Sequence, residues 1–124
     1  MISHPTAAEL SDAIAAFEGE PRLPGDARQA FLARVTDNAR ATLAREAEHG
    51  ARLEDEAVER LSEILDEAGD YATLNTKLCE MLRAGDIDPL GPALLSHLRA
   101  TAIGQIAIDQ PSYGGLTALL AGRG

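Results

Sequence analysis

The histidines and the single cysteine are the residues with which this chain could do metal or nucleophilic chemistry. His4, His49 and His97 are scattered, and no two have the i, i+4 spacing of a helical zinc site. Glu46 and His49 form one Glu-x-x-His element, but a di-iron site in a bundle needs two such elements and two further acids. Cys79 can form no disulfide framework or cysteine-based zinc site, and we interpret it as a small core residue. Because the glycines also form neither a P-loop nor a dinucleotide fingerprint, the sequence predicts no metal, no cofactor and no catalytic residues.

A second set of polar residues falls on an apolar stripe of a predicted helix. Asn38, Arg45 and Glu46 stand at i, i+7 and i+8 and project within about 80° of one another, beside Phe31 and Val35. Polar groups on a core-facing stripe must be paired, because an unpaired buried group costs roughly 1–3 kcal/mol. They either close an internal network, which we favour for Asn38 and Glu46, or line a groove for a partner or ligand, which we favour for Arg45.

His97 raises the same question on another helix, as Asn75 and Arg99 do more weakly. The candidate partner or ligand surface therefore consists of Asn38, Arg45, Glu46 and His97.

Acidic residues dominate the chain. Twenty acids against eleven bases give a net charge of −9, which argues against nucleic acid or an anionic membrane as a partner. Eight acids within 17 residues form either a solvated face or a docking surface for a basic partner: Glu54, Asp55, Glu56, Glu59, Glu63, Asp66, Glu67 and Asp70. We find no signal peptide and no membrane span, so we expect a cytoplasmic protein. Ten arginines against one lysine are typical of a GC-rich bacterium.

The fold that must position these residues is predicted to be all-α. Ala and Leu supply 40 of the 124 residues and Val and Ile only 9, an excess of strong helix formers over β-branched residues. We predict a single-domain bundle of about five helices over residues 1–113 and a short loose tail over 114–124.

Caps, glycines and prolines set the predicted helix boundaries. The five helices are expected at residues 6–19, 26–49, 53–68, 70–85 and 92–111. Gly50 is interpreted as the end of the second helix, whose inward stripe includes Phe31 and Val35. The last helix is apolar over more than half of its circumference, so we expect it at the centre of the bundle with Leu98 buried.

Several short blocks carry a resemblance to a known family. They are Pro5-Thr6-Ala7-Ala8-Glu9-Leu10; Arg28-x-x-Phe31-x-x-Arg34-Val35-x-x-Asn38-Ala39 running into Ala44-Arg45-Glu46; Leu74-x-x-x-Leu78-Cys79 with Leu82-Arg83-x-Gly85-x-x-Asp88; and Leu95-x-His97-Leu98-x-x-Thr101 with Ile108-Asp109-Gln110-Pro111-x-Tyr113. In this order and spacing, over about residues 5–113, the chain resembles a family of small, little-characterised bacterial helical proteins.

The resemblance implies a partner and a pathway. Members of that family are typically encoded beside an aminoglycoside-phosphotransferase-like kinase and an acyl-CoA dehydrogenase, in catabolism of levulinate and other 4-hydroxy acids. There the kinase phosphorylates a 4-hydroxyacyl-CoA, and the small protein is its required companion. The family carries no agreed catalytic residues, so none is transferred to this chain.

We therefore expect a non-catalytic accessory subunit of a phosphotransferase-like hydroxyacyl-CoA kinase, with the acyl-CoA dehydrogenase as a further partner of the same pathway. The alternative is a helical module that binds a small molecule or an acyl-CoA in a groove beside Asn38, Arg45 and His97. A third hypothesis is that the protein is an enzyme in its own right. A second copy of the chain, forming a homodimer, is a further candidate partner.

Overall fold

The computed structural model describes residues 4–122 and contains five α-helices. They are α1 (Ala7–Glu18), α2 (Ala27–Leu65), α3 (Tyr71–Ala84), α4 (Pro92–Asp109) and α5 (Gly114–Ala121). No strand occurs between residues 4 and 122, which confirms the predicted all-α class. The chain forms two compact units, one ending at Gly50 and one beginning at Ala51. Helix α2 contributes residues to both.

The beginning of α1 follows the sequence signal. Thr6 and Glu9 form a capping box, in which the Thr6 backbone N–H donates to the Glu9 carboxylate at 2.7 Å and the Glu9 N–H donates to the Thr6 hydroxyl at 3.2 Å. This reciprocal pair satisfies donors that have no partner inside the helix. The predicted start of the first helix is confirmed, as is its end at Gly19.

One side chain holds the connection between α1 and α2. The Gln29 amide donates from Nε2 to the Pro21 carbonyl at 2.5 Å, and its Oε1 accepts from the Leu23 N–H at 2.7 Å. Gln29 lies in the first turn of α2, so the two bonds fasten the preceding segment onto the helix that it enters.

Helix α2 is 39 residues long and replaces two predicted helices, because Gly50 does not end it. A glycine inside a helix costs only about 1 kcal/mol relative to alanine, too little to break a helix flanked by good helix formers. The absence of a side chain at Gly50 leaves room for the Glu46 carboxylate, because a Cβ at Gly50 would lie 2.6 Å from Oε1 of Glu46, one turn earlier. The expectation of a helix end at Gly50 was wrong for this reason.

The end of α2 is formed by a residue other than glycine. Asp66 adopts the left-handed conformation at φ 51°, and the Glu67 N–H donates to the Ser62 carbonyl at 3.3 Å. This closure places the last helical residue at Leu65, three residues before the predicted end.

In the first unit, α1 covers a side of α2 other than the predicted one. Glu18 forms an ion pair with Arg40, and Phe17 lines a pocket together with Ala33. At 100° per residue, Ala33 and Arg40 lie about 140–180° from Phe31 and Val35 around the helix.

The predicted inward stripe is therefore wrong at Phe31 and Val35, which are 55% and 46% exposed.

The second unit contains the hydrophobic core of the described chain. Its centre consists of Leu61, Leu74, Leu78 and Leu94 from α2, α3 and α4. Gly104 of α4 lies close to Leu53 of α2, since a Cβ at Gly104 would meet the Leu53 side chain at 3.0 Å. Helix α4 thus packs closely in this unit, but through Leu94 rather than through Leu98, which is 45% exposed. The expectation that Leu98 is buried was wrong, because Leu94, one turn earlier on α4, lies in the core instead.

The remaining helix ends agree with the sequence signals. The Asp70 side chain caps α3 by accepting from the Thr73 N–H at 2.8 Å, and this bond lowers the pKa of the Asp70 carboxyl below its ordinary value. Gly85 ends α3 in the left-handed conformation at φ 77°. Pro92 begins α4, and Pro111 follows its end.

Residues 114–121, expected as a loose tail, form helix α5. Leu116 is buried, and Arg99 of α4 donates to the Leu119 carbonyl at 2.8 Å. Leu116 therefore finds cover on the rest of the second unit and Leu119 is half-buried, whereas Leu120 stays 49% exposed. This burial outweighs the helix-weakening effect of the glycines in the segment.

Candidate functional site

The four predicted site residues fall in two different units. Asn38, Arg45 and Glu46 lie on α2 in the first unit, and His97 lies on α4 in the second. The structure therefore brings the first three together on one helix and places His97 in a separate environment.

The polar residues of the first unit interact along their own helix. The Thr42 hydroxyl donates to the Asn38 carbonyl at 3.0 Å and accepts from Nη2 of Arg45 at 3.2 Å. The Asn38 side chain is exposed, whereas Glu46 is half-buried, with its carboxylate folded over Gly50 and its Oε2 atom buried. These contacts hold Arg45 against the surface of α2 on the side that carries Asn38.

Exposed apolar residues continue the same side of α2 towards its N-terminus. Phe31 and Val35 stand one turn apart, and Asn38, Thr42 and Arg45 follow at helical spacing. We call this set of five residues the α2 stripe.

Two arginines flank the α2 stripe. Around the helix, Arg28 and Arg34 lie about 60° to either side of Phe31. Both are exposed, and neither guanidinium forms a hydrogen bond or ion pair with any residue between 4 and 122. Arg40 differs, because it pairs with Glu18 and with Asp37. The apolar part of the α2 stripe, Phe31 and Val35, thus lies between two arginines that form no ion pair with any residue between 4 and 122.

His97 is bonded to a residue that the sequence analysis missed. It is only 2% exposed, and its Nδ1 accepts from Nε of Arg60 at 3.3 Å. Nη2 of Arg60 lies 3.5 Å from the Thr101 hydroxyl, one turn further along α4. Burial, and secondly the charge of Arg60, lower the pKa of His97. His97 is therefore a neutral acceptor that joins α4 to α2.

Arg60 could have been suspected from one signal. It is a lone base among the acids of residues 54–63 and shares a helix side with Leu53 and Ala57. That pattern marks Arg60 as facing the core side, but it does not name His97 as its partner.

Two small pockets lie beside the groups described above. One, of about 210 Å³, is lined by Arg60, Glu63, Ile64, Ala93 and Ser96 in the second unit. The other, of about 340 Å³, lies in the first unit where Phe17 meets the segment before α2. Typical ligand pockets are about 300–1,000 Å³, so these are at or below the lower end of that range.

The acidic residues after Gly50 are mostly at the surface. Glu54, Asp55, Glu59 and Glu63 are exposed, and Arg52 pairs with Glu56 at 2.7 Å. This agrees with a solvated face, and the choice between that and a docking surface for a basic partner stays open. In the part of the chain that the structure describes, no helix is long and apolar enough to cross a membrane.

The arrangement defines a helical protein in which Phe31 and Val35 are exposed on α2 between two arginines that have no ion-pair partner within residues 4–122. Residues 21–113, about three quarters of the chain, match the family DUF6285, a domain of unknown function. The chain therefore belongs to the DUF6285 family. No curated protein and no solved structure matches it.

Proposed function

We propose that the protein is a non-catalytic accessory subunit that supports a phosphotransferase-like hydroxyacyl-CoA kinase in the catabolism of organic acids. The proposal starts from the resemblance of the sequence blocks to companions of such kinases. The DUF6285 match over residues 21–113 covers all the blocks after the first, although it assigns no activity. The proposal includes a bacterial source for this protein and a cytoplasmic location.

The observation that carries the proposal is the exposure of Phe31 and Val35 on the α2 stripe. Exposed aromatic and aliphatic side chains next to arginines are typical of surfaces that bind proteins. The same residues belong to the block that begins at Arg28 and carries the resemblance. A binding role for this helix is therefore supported by two separate features, its exposure and its sequence pattern.

Binding of an acyl-CoA, the alternative, has less support. His97 is occupied as a buried acceptor for Arg60. The two pockets named above are small for a ligand with an adenine nucleotide and a long thioester arm, and a larger open pocket of about 540 Å³ beside Thr73 and Lys77 on α3 contains none of the predicted site residues. We therefore retain the accessory-subunit proposal alone.

Co-expression with a phosphotransferase-like kinase tests the proposal. The gene for such a kinase, which we expect beside the gene for this chain, is expressed with and without it, and the phosphorylation of a 4-hydroxyacyl-CoA is measured. We expect the two proteins to co-purify and the kinase to be active only with its companion, while this chain alone transfers no phosphate. The acyl-CoA dehydrogenase that we expect in the same pathway serves as a second bait. A fully active kinase that never binds this chain would contradict the proposal.

A further inference from the structure

We propose that the α2 stripe binds an apolar protein surface rimmed by acidic side chains, and that this surface lies on the phosphotransferase-like subunit. The inference rests on the proposed function and adds to it the site and the chemistry of the partner.

The apolar part of the stripe lies on a helix side that α1 leaves exposed. Helix α1 lies against α2 through Glu18 and Phe17, on the side of Arg40 and Ala33. Phe31 and Val35 lie roughly opposite and about half exposed. Two apolar side chains at i and i+4 form the pattern by which a helix lies in a groove of a partner.

The charge around the stripe selects the partner. The chain carries 20 acids and a net charge of −9, yet Arg28 and Arg34 have no ion-pair partner within residues 4–122. Charge complementarity across an interface favours an acidic rim on the other protein. An acidic surface would pair with both guanidinium groups and leave the acidic remainder of this chain in solvent.

A second copy of this chain fits the stripe less well. A symmetric contact centred on Phe31 and Val35 is made by the same patch on both copies. It would bring Arg28 and Arg34 of both copies to one interface, where like charges repel. We therefore assign the stripe to a different protein.

Affinity measurements on the purified full-length chain and the kinase test the inference. Phe31→Ser changes the stripe and Arg34→Glu changes its rim. Arg22→Glu is the matched control, because Arg22 is an exposed arginine of the same unit that lies outside the resemblance blocks, lines a pocket with Ala33 away from Phe31, and has no ion-pair partner between residues 4 and 122. We expect each stripe variant to weaken kinase binding by about tenfold or more, and the control by less than about twofold. Binding of the unchanged chain should also weaken as salt is raised.

The outcomes separate the two proposals. Equal binding by the stripe variants and the control would overturn this inference and leave the proposed function intact. A kinase that does not bind the unchanged chain would overturn both. Self-association that is lost in Arg34→Glu or Phe31→Ser would assign the stripe to a second copy and also overturn the inference. Thermal melts of all variants, expected within a few degrees of the unchanged chain, separate lost binding from lost folding.

Discussion

Arg60 determines the role of His97, the histidine that the sequence analysis proposed for a binding surface. Arg60 donates to Nδ1 of His97, so the proton of the neutral imidazole stands on Nε2. A protonated His97 would lose this bond and face the charge of Arg60 in a buried position. The pair therefore acts as a connection between α2 and α4 that works only while the histidine is neutral.

The free energy of unfolding should depend on the protonation of His97. Its pKa in the folded chain lies below the ordinary value of 6.5, so the unfolded chain binds a proton more readily. The stabilising contribution is complete above pH 6.5 and is lost as the pH falls towards the folded pKa. We expect urea titrations between pH 8 and 5 to show this loss in the unchanged chain and less of it in His97→Gln, whose amide can still accept from Arg60. Parallel pH profiles of the two proteins would contradict the prediction.

Two leucines provide a test of where the core lies. Leu61 is fully buried in the second unit, whereas Leu98 is 45% exposed. Truncation of a fully buried leucine leaves a cavity and costs about 2–5 kcal/mol, whereas a half-exposed one loses little. We expect Leu61→Ala to lower the free energy of unfolding by that amount and Leu98→Ala by about 1 kcal/mol or less. Chemical denaturation measures both, and equal losses would show that the solvent exposure of Leu98 is not retained in solution.

At the scale of whole helices, local signals predicted the ends well when a specific group forms the cap. The Thr6 box, the Asp70 cap and the left-handed Gly85 depend on residues within one turn, so the sequence alone contains the information. Gly50 failed as a stop because a glycine only weakens a helix. Whether the helix continues depends on the burial of the residues that follow, such as Leu61, and that burial is a tertiary property.

Contacts between helices were the part that the sequence could not supply. The side of α2 that meets α1 depends on where Glu18 and Arg40 come together, and the Arg60–His97 bond joins residues 37 positions apart. Periodicity shows that a helix has an apolar side, but it does not show which neighbour covers it. Phe31 and Val35 were therefore assigned to the core although their side chains are exposed.

The two left-handed helix ends predict opposite effects of substitution. Asp66 at φ 51° is strained relative to glycine, whereas Gly85 at φ 77° is in a conformation that glycine adopts freely. We expect Asp66→Gly to raise the free energy of unfolding by about 0.5 kcal/mol and Gly85→Ala to lower it by about 1 kcal/mol. A Cβ at Gly85 meets no atom within 4 Å, so no side-chain clash adds to that loss, which is the backbone strain less the entropy that alanine removes from the unfolded chain. A stabilising Gly85→Ala in thermal or urea unfolding would contradict this assignment.

At the scale of the whole molecule, the two units are unequal in their hydrophobic cores. Every buried hydrophobic side chain within residues 4–122 belongs to the second unit, from Ala57 onwards. Between residues 4 and 50 the buried side chain is the polar Thr36. Buried apolar area is the main source of folding stability, so the first unit has little of its own. A segment with so little buried apolar area would gain stability from a partner that covers its exposed apolar side chains.

Hydrogen exchange should reveal this inequality inside a single helix. We expect amides of residues 30–49 of α2 to exchange faster than those of residues 54–65, because the latter belong to the unit with the core. Mass spectrometry of the free chain measures the gradient. Addition of the kinase should slow exchange around Phe31, whereas uniform protection along α2 in the free chain would contradict the prediction.

The Gln29 amide has a consequence for how the exposed connection meets a protease. Trypsin cleaves after arginine, and the bond that it would cut between Arg22 and Leu23 contains the N–H that donates to Gln29. The carbonyl of Pro21, on the other side of Arg22, is held by the same amide. A protease binds its substrate as an extended strand with free backbone groups. We therefore expect cleavage after the exposed Arg22 to be slow, because both hydrogen bonds of the Gln29 amide must break first.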